Sequence, residues 1–366
     1  MKILWFTWKD KKNPLAGGAE MVNENLAKRL AEEDNEIVFL VAGFKGALQE
    51  ETINGYKVIR LGNKWTVYWR AFLYYKKHLH GWADLVIDEV NTIPFFAKFY
   101  VKEKNILFFH QLCREIWFYE MFFPLNIIGY ILEPFYTWLL RDRVAITVSE
   151  STKRDLMRFG FRDENVNIIR ERIEIEPVGS PETVKKYDVF TILSLGSLRP
   201  MKRTTDVVKA FELAKKKIPD LQLIIAGDNS GNYGRKVISA VKSSPVRDSI
   251  KVLGRVSVGK KIELLQKTYI LVSTSVKEGW GLTVTEANSQ GTPAIVYDID
   301  GLRDSVKNGK TGIVCNKNTP ESLAKNIISL LLDKGKYENL RQNAWRLSKD
   351  FNFGNDLNVF HIKNEK

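Results

Sequence analysis

Glu278-Gly-Trp-Gly-Leu-Thr-Val-Thr-Glu286 is the stretch whose reading decides the fold of this chain. Two carboxylates stand eight positions apart, with a glycine-rich turn between them. The apolar run Tyr269-Ile-Leu-Val-Ser-Thr274 ahead of it has the length and composition of a buried strand. The pattern predicts a strand, a glycine turn carrying one acid, then a helix whose first turn carries the second. Unsatisfied backbone N–H groups at a helix start favour anionic or hydroxylated ligands. Carboxylates accept hydrogen bonds from sugar hydroxyls. A ligand with both phosphates and hydroxyls, such as a nucleotide sugar, suits the combination. An ordinary βα turn with surface acids would produce the same letters.

Downstream, Ala287-Asn-Ser-Gln-Gly-Thr-Pro-Ala-Ile-Val296 closes that helix, with Gly291 at its C-cap and Pro293 beyond, and opens a strand from Ala294 to Tyr297. Gly301-Leu-Arg-Asp-Ser-Val-Lys-Asn-Gly309-Lys-Thr-Gly312 follows. This block resembles the donor-binding region of retaining glycosyltransferases of the GT-B fold, family 4. There, two acids separated by seven residues precede a glycine-threonine-proline turn. Several pieces match in order and spacing, and the resemblance extends over nearly the whole chain, most strongly from Leu195 to Gly312.

Length and composition agree with two cores. The 366 residues are 44% hydrophobic and 27% charged, as in globular chains. Cys113 and Cys315 lie far apart, with neither a disulfide framework nor zinc spacing, which makes a reducing cytoplasm the expected setting. The apolar N-terminus is too short for a signal peptide and reads as a first strand. The net charge of +13 is uneven: 25 basic against 24 acidic residues in 1–180, but 31 against 19 in 181–366. A basic second half fits a nucleotide diphosphate. It also fits diffuse attraction to anionic lipid or nucleic acid, although no nucleic-acid module is recognisable.

In the first half, strands are expected at Lys2–Trp8, Glu36–Ala42, Tyr56–Leu61, Ala83–Val90, Asn105–His110 and Val144–Ser149, with a helix at Gly17–Leu30. The second half restarts at Val189–Leu195, with a helix at Thr204–Lys217 and strands at Leu221–Ala226, Ile250–Leu253, Tyr269–Ser273 and Ala294–Tyr297. The fold class is therefore α/β: two doubly wound, Rossmann-like domains, which in GT-B proteins face each other across a cleft, with ligands at the carboxyl ends of the strands. The expected domains are 1–175 for the acceptor and 188–350 for the nucleotide sugar. Arg170 to Tyr187 links them, and the resemblance implies that a tail, 351–366, returns to the first domain.

Further candidates sit at strand ends. The loop Asn13-Pro-Leu-Ala-Gly17-Gly18-Ala-Glu20 opens the first helix but lacks the Gly-x-Gly-x-x-Gly dinucleotide spacing, which argues against a nicotinamide-dependent oxidoreductase. Gly196-Ser-Leu-Arg199-Pro-Met-Lys202-Arg203 crowds three cations into a turn after a strand. It is either a solvated basic turn or a clamp on a departing diphosphate. His110 ends a strand, where a structural role is common, and Arg114 and Glu115 follow it. Asp88, Glu89 and Asn91 offer polar groups whose roles stay open. Ser149 or Ser151 reads as a helix N-cap. Asp298-Ile-Asp300 could hold a metal but reads more simply as a turn, so no metal or other cofactor is expected.

The resemblance implies roles for these positions. Glu278 would hold hydroxyls of the transferred sugar, and Glu286 the ribose hydroxyls. N–H groups of Gly279, Trp280, Gly281 and Leu282, with Lys202, would bind the diphosphate. His110 would contact the transferred sugar, the Gly17-Gly18 loop would lie near donor phosphates and acceptor, and Gly254-Arg255-Val256 near the base. Arg114 and Glu115 could line the acceptor site. The family usually has arginine directly after the glycine where this chain has Ser197, so either Arg199 replaces it or one cation is missing. The implied reaction is transfer from a nucleotide-diphosphate sugar to a hydroxyl acceptor, with a nucleotide-sugar epimerase or a non-catalytic membrane-associated sensor as rivals. Finally, Ile116 to Leu140 is mostly apolar but interrupted by Glu120, Asn126, Glu133 and two prolines. It is either buried helix or a peripheral membrane surface on the inner face, which a lipid-linked acceptor would make useful.

Overall fold

The inner strands of the sheets are built on apolar runs, and that composition sets the topology. β1 (Lys2–Phe6) buries Ile3, Leu4, Trp5 and Phe6 completely. A strand covered on both faces belongs inside a parallel sheet flanked by helices. A computed structural model describes residues 1–169, 173–349 and 356–360, and shows two such sheets.

The first half runs β1, α1 (Gly18–Glu32), β2 (Glu36–Val41), β3 (Glu50–Ile53), β4 (Tyr56–Arg60), α2 (Val67–Tyr74), β5 (Leu85–Glu89), β6 (Lys104–Phe109), α3 (Ile116–Glu120), α4 (Leu125–Leu139), β7 (Ala145–Thr147), α5 (Glu150–Arg158) and β8 (Val166–Ile168). The strand order is β3-β4-β2-β1-β5-β6-β7-β8, parallel except for the β3–β4 hairpin. From β1 the chain first builds outward through β2 and β4, then returns to add β5, β6, β7 and β8 on the other side. The carboxyl ends of β1 and β5 therefore form a topological switch point.

The second half runs β9 (Thr191–Leu195), α6 (Thr204–Lys215), β10 (Gln222–Ala226), α7 (Asn232–Ser243), β11 (Ile250–Gly254), α8 (Val258–Lys267), β12 (Ile270–Ser273), α9 (Leu282–Ser289), β13 (Ala294–Val296), α10 (Leu302–Ser305), β14 (Gly312–Val314), α11 (Pro320–Leu332) and α12 (Lys334–Lys349). All six strands are parallel, in the order β11-β10-β9-β12-β13-β14. Its switch point lies between β9 and β12.

Three edge strands, β3, β8 and β14, were not expected. Each is short: β3 is mostly polar, β8 has Asn167 at its centre, and β14 is buried but only three residues long, too short to stand out as an apolar run. Other expected strands are shortened at their ends. Ser149 is the N-cap of α5, its hydroxyl accepting from Thr152 N at 3.2 Å.

The contacts divide the chain differently from the expected boundary at 175. One unit holds Met1–Arg114, 128–169 and 356–360; the other holds Glu115–Ile127 and 173–349. The physical reason is α3. Glu120 at its end pairs with Arg199 at 3.1 Å and accepts from Met201 N at 3.2 Å, which ties 115–127 to the second unit. Of the expected linker, 170–172 lie outside the described residues, and so do 351–355 and 361–366 of the expected tail. Residues 356–360 belong to the first unit, with the Phe360 ring 6.4 Å from that of Trp5.

The segment Ile116 to Leu140 is neither a span nor a buried pair. Among the described residues no helix is long and apolar enough to cross a membrane. On α4, Gly129, Glu133, Tyr136 and Thr137 are buried, whereas Ile128, Ile131, Leu132, Phe135 and Trp138 are exposed. These exposed positions recur at helical spacing and make one apolar face.

In the second unit, α12 is clasped by Arg341, a buried guanidinium. It donates to the carbonyls of Gly291 at 3.0 Å, Val184 at 3.2 Å and Pro181. The Gly291 carbonyl also accepts from Lys186 Nζ at 2.9 Å and that of Pro181 from Val184 N at 3.1 Å, so removing the guanidinium takes the donor chiefly from the Val184 carbonyl, at about 1 to 3 kcal/mol for a buried group left without one. Arg341→Ala should therefore lower the unfolding free energy by roughly 1 to 3 kcal/mol in urea titration. A loss below about 1 kcal/mol would show that water replaces the guanidinium there.

Candidate active site

The second unit's switch point gathers its polar residues by lacing two loops together. The turn after β9 carries Lys202, and the loop after β12 carries Ser275 and Glu278. Thr274 Oγ1 donates to the carbonyl of Lys202 at 2.8 Å, and Val276 N to that of Met201 at 2.9 Å. So fixed, Lys202 Nζ donates to Glu278 Oε1, and Ser275 Oγ donates to the same oxygen at 2.6 Å. From the other side, Glu278 N reaches the carbonyl of Asp300 at 3.2 Å, and Lys277 pairs with Asp300 at 3.0 Å. Gly301 makes that approach possible. Its φ is +79°, and a Cβ would stand 2.2 Å from the Glu278 carbonyl oxygen. Glu278 is thus a part-exposed carboxylate held on three sides by neighbouring loops.

The second acid is held differently. Glu286 lies in the second turn of α9, not the first, because the helix begins at Leu282 with Gly281 as its left-handed N-cap. Lys261, on α8, donates to Glu286 Oε1 at 2.5 Å. Oε2 is buried and has no hydrogen-bond partner among the described residues. Burial pushes the Glu286 carboxyl up, against the pull of Lys261. An orphaned buried acceptor carries a desolvation cost that a ligand hydroxyl would relieve. Gly279, Trp280, Gly281 and Leu282 lead into the helix start, where Trp280 Nε1 donates to Thr285 Oγ1 at 2.9 Å.

The three cations of the turn after β9 separate. Lys202 reaches Glu278. Arg199 is directed at Glu120 of α3, with Nε and a terminal nitrogen at 3.3 and 3.1 Å. Arg203, at φ +50°, pairs with Asp206 at 2.6 Å and holds the first turn of α6. Gly254 closes β11, and its carbonyl accepts from Gly227 N at 2.8 Å, so the turns after β10 and β11 touch; hydrogen bonds from Ser230, and more weakly the charge of the exposed Arg255, lower the Asp228 carboxyl.

In the first unit, Gly17 and Gly18 do open α1. The anion that meets this helix start is the chain's own Glu20, whose Oε2 accepts from Gly17 N at 2.6 Å. Glu20 is buried and pairs with Lys9 at 3.3 Å. His110 is also buried, and its Nε2 stands 3.1 Å from Asn23 Oδ1. Asp88 is a structural acid: it accepts from Phe95 N and Ala97 N at 2.8 and 2.9 Å, and burial pushes it up to about 7. Arg114 packs its guanidinium 4.1 Å over Tyr130 and donates to the Tyr130 carbonyl at 3.1 Å, while Glu115 is exposed and falls in the other unit.

Sequence reading missed Ser275, Lys261, Glu120, Glu20 as a cap, and Asn23. Glu20 had a local signal, three residues after a helix N-cap. Lys261 had none, because its partner is 25 positions away on another helix. Asp298 and Asp300 are both engaged by Arg303, at 2.5 and 3.1 Å, in keeping with a turn; no acid or histidine cluster suited to a metal occurs among the described residues.

Two family models match the chain, one on each half. The family described as Glycosyl transferases group 1 matches residues 180–346, and Glycosyltransferase Family 4 matches residues 16–176. The N-acetyl-alpha-D-glucosaminyl L-malate synthase of Bacillus anthracis is 24% identical over 360 residues, covering 90% of this chain and 89% of that protein. The poly(glycerol-phosphate) alpha-glucosyltransferase of Bacillus subtilis (strain 168) is 32% identical over 168 residues. That match covers 46% of this chain but only 24% of the relative's length. Among solved structures, Anabaena Alr3699/HepE in complex with UDP and glucose superposes with a TM-score of 0.72 at 17% identity, covering 96% and 95% of the two chains. At that identity the likeness establishes the fold, GT-B with two Rossmann-like domains.

The burial of Glu286 has a pH signature. Its folded pKa is raised above the ordinary value of 4.5. Such a group gives stability that is full below the unfolded value and is lost as pH rises through the folded one. Relative to Glu286→Gln, the native chain should therefore lose stability as pH rises above the ordinary carboxyl range, read as diverging urea midpoints. Midpoints that stay parallel would mean that solvent reaches Glu286 freely.

Proposed function

The chain belongs to the group 1 glycosyltransferases of family 4, and we propose that it moves a sugar from a nucleotide-diphosphate sugar to a hydroxyl acceptor with retention of configuration. The observation that carries this reading is Glu278 beside Lys202 and Ser275 at the β9–β12 switch point. A carboxylate anchored there accepts hydroxyls of the transferred sugar. Lys202 and the N–H groups from Gly279 to Leu282 meet the diphosphate, whose charge grows as it departs. Glu286 takes the ribose hydroxyls, filling the vacancy at its Oε2. Arg199 is not assigned to the diphosphate, because it is held by Glu120; Lys202 and the helix start do that work without a metal.

The step itself is a single exchange on one face of the sugar. The bond between C1 and the phosphate oxygen breaks, and the bond between C1 and the acceptor oxygen forms. The acceptor's hydroxyl proton passes to the departing phosphate oxygen, and a nucleoside diphosphate leaves. His110 and the Gly17-Gly18 loop are the first unit's candidates for contact with sugar and acceptor. Arg114 and Glu115 remain acceptor-side candidates, Arg114 through the backbone it holds against Tyr130.

Thermal unfolding with UDP, GDP, ADP and their sugars, in EDTA and then in Mg²⁺, tests the donor site first. A nucleotide at about a hundred times its dissociation constant adds roughly 2.7 kcal/mol. Stabilisation by one of them in EDTA is expected. In transfer assays, Glu278→Ala should lower kcat/KM by about 100-fold or more, whereas Glu286→Ala should act mainly on the donor KM. Unchanged turnover in Glu278→Ala would remove the sugar-site assignment. An inverted product would remove the mechanism, and free sugar released without acceptor would favour an epimerase.

We further infer that the acceptor is carried on lipid and that the first unit rests on a membrane surface. The exposed face of α4 supports this. It continues through Phe99, whose neighbour Lys98 donates to the Leu139 carbonyl at 2.7 Å, toward the exposed Trp69 and Leu73 of α2. Arg141, stacked 3.9 Å over Trp138, adds a cation at its edge. Aromatic and aliphatic groups beside cations suit an anionic lipid interface. The chain should co-sediment with anionic vesicles, and Ile131→Glu with Phe135→Glu should abolish this while leaving nucleotide binding intact. Equal sedimentation of the double variant would remove the membrane reading.

A further inference from the structure

Three buried residues of the first unit, Asn23 on α1, Glu89 at the end of β5 and His110 just past β6, meet in a short relay. Asn23 Nδ2 donates to Glu89 Oε2 at 2.6 Å. The other end of the same amide, Oδ1, stands 3.1 Å from His110 Nε2. Glu89 Oε1 lies 3.6 Å from that nitrogen, too far for a hydrogen bond but close enough to attract positive charge on the ring.

The order of these contacts has a chemical consequence. A carboxylate only accepts, so it commits the amide to face it with the NH₂ end. The amide must then face His110 with its oxygen. An oxygen at 3.1 Å from Nε2 is satisfied only when that nitrogen carries the proton. The carboxylate therefore selects the tautomer of a ring that it does not itself hydrogen-bond. The ring's position is supported as well. Its plane lies against Phe108, with centroids 4.4 Å apart, and Thr152 Oγ1 donates to the His110 carbonyl at 3.4 Å.

We propose that Glu89 is a positioning residue for sugar transfer, which acts through Asn23 to hold His110 in its Nε2-protonated form and in one orientation. This rests on the proposed role of His110 at the transferred sugar. A ring so held donates from Nε2 to Asn23 and keeps one orientation. Loss of the relay would let the ring turn or change tautomer. Groups that only orient a histidine matter through that effect, and removing them can lower turnover by tenfold or much more.

The test combines a spectrum with kinetics, on the full chain. Histidine-selective ¹⁵N labelling reports the tautomer of each of the four histidines, with His110 identified by its loss in His110→Gln. The Nε2-protonated pattern is expected in the native chain and in Glu89→Gln, whose amide oxygen still accepts from Asn23. Glu89→Ala should lose that pattern. It should also lower kcat by about tenfold or more, with nucleotide affinity unchanged, while Glu89→Gln recovers most of the turnover. Asn23→Ala breaks the relay from the helix side and gives the same readouts should Glu89→Ala fail to fold.

An Nδ1-protonated ring in the native chain would overturn the proposal. So would native kcat in Glu89→Ala, or a Glu89→Gln as slow as Glu89→Ala. If the native chain transfers no sugar from any nucleotide sugar, the transfer reading falls, whatever the spectrum shows. If it does transfer and Glu89→Ala transfers equally well, only the positioning role falls.

Discussion

Parallel strands covered on both faces leave polar chemistry few places to go. Within the sheets, side chains such as Ile192, Leu193, Leu271 and Val272 are apolar because helices lie above and below them. Functional groups are then confined to the loops at strand ends. Only where successive crossovers diverge do two such loops lie side by side with no connection filling the space between. In the second unit that place is between β9 and β12, and Lys202, Ser275 and Glu278 occupy it. The location of the site therefore follows from the direction in which the sheet is wound, before any side chain is considered.

What the residues do there follows from their neighbours. Glu20, Glu278 and Glu286 are the same side chain beside a helix start or a strand end, and each has a lysine. Yet Glu20 has both oxygens engaged, by Gly17 N and by Lys9, and closes the N-terminus of α1 from within. Glu278 is part-exposed, with one oxygen shared by Lys202 and Ser275. Glu286 is buried with Oε2 unmatched. The first arrangement is complete, and the other two are not. A ligand can add hydrogen bonds at Glu278 and Glu286, but at Glu20 it would have to displace an internal one.

The same contrast explains which parts were legible in the sequence. Inner strands announced themselves because double-sided burial demands uninterrupted apolar runs. Edge strands did not, and β3 reads Glu-Glu-Thr-Ile, although the Asn54-Gly55 pair after it is a strong hairpin signal. Glu278, Glu286 and Lys202 were found because strand-end position and glycine turns are local features. Their partners were not, since Lys261 to Glu286 and Arg199 to Glu120 join residues 25 and 79 positions apart. Nothing near Arg199 in the chain shows that an acid on α3 will hold it. The grouping of 115–127 with the second unit escaped for the same reason: it depends on that pairing and on Glu120 accepting from Met201 N.

Ser197 shows how far local chemistry can go. Where the family usually carries an arginine, a small hydroxyl residue follows Gly196, and the next cation, Arg199, is engaged elsewhere. Under the proposed donor pose the diphosphate would meet one side-chain cation from this turn, Lys202, which is already paired with Glu278. Bringing a donor in does not add a free charge to the site; it redistributes one that is present. As the diphosphate departs and its charge grows, Lys202 can shift toward phosphate while Ser275 keeps its hydrogen bond to Glu278. A lysine suits that task better than the absent arginine, because its charge sits on a flexible stem with three rotatable donors, whereas a guanidinium is committed to a fixed fork. On this argument the serine is not merely a missing cation. It leaves the leaving-group charge to a residue that can move with it.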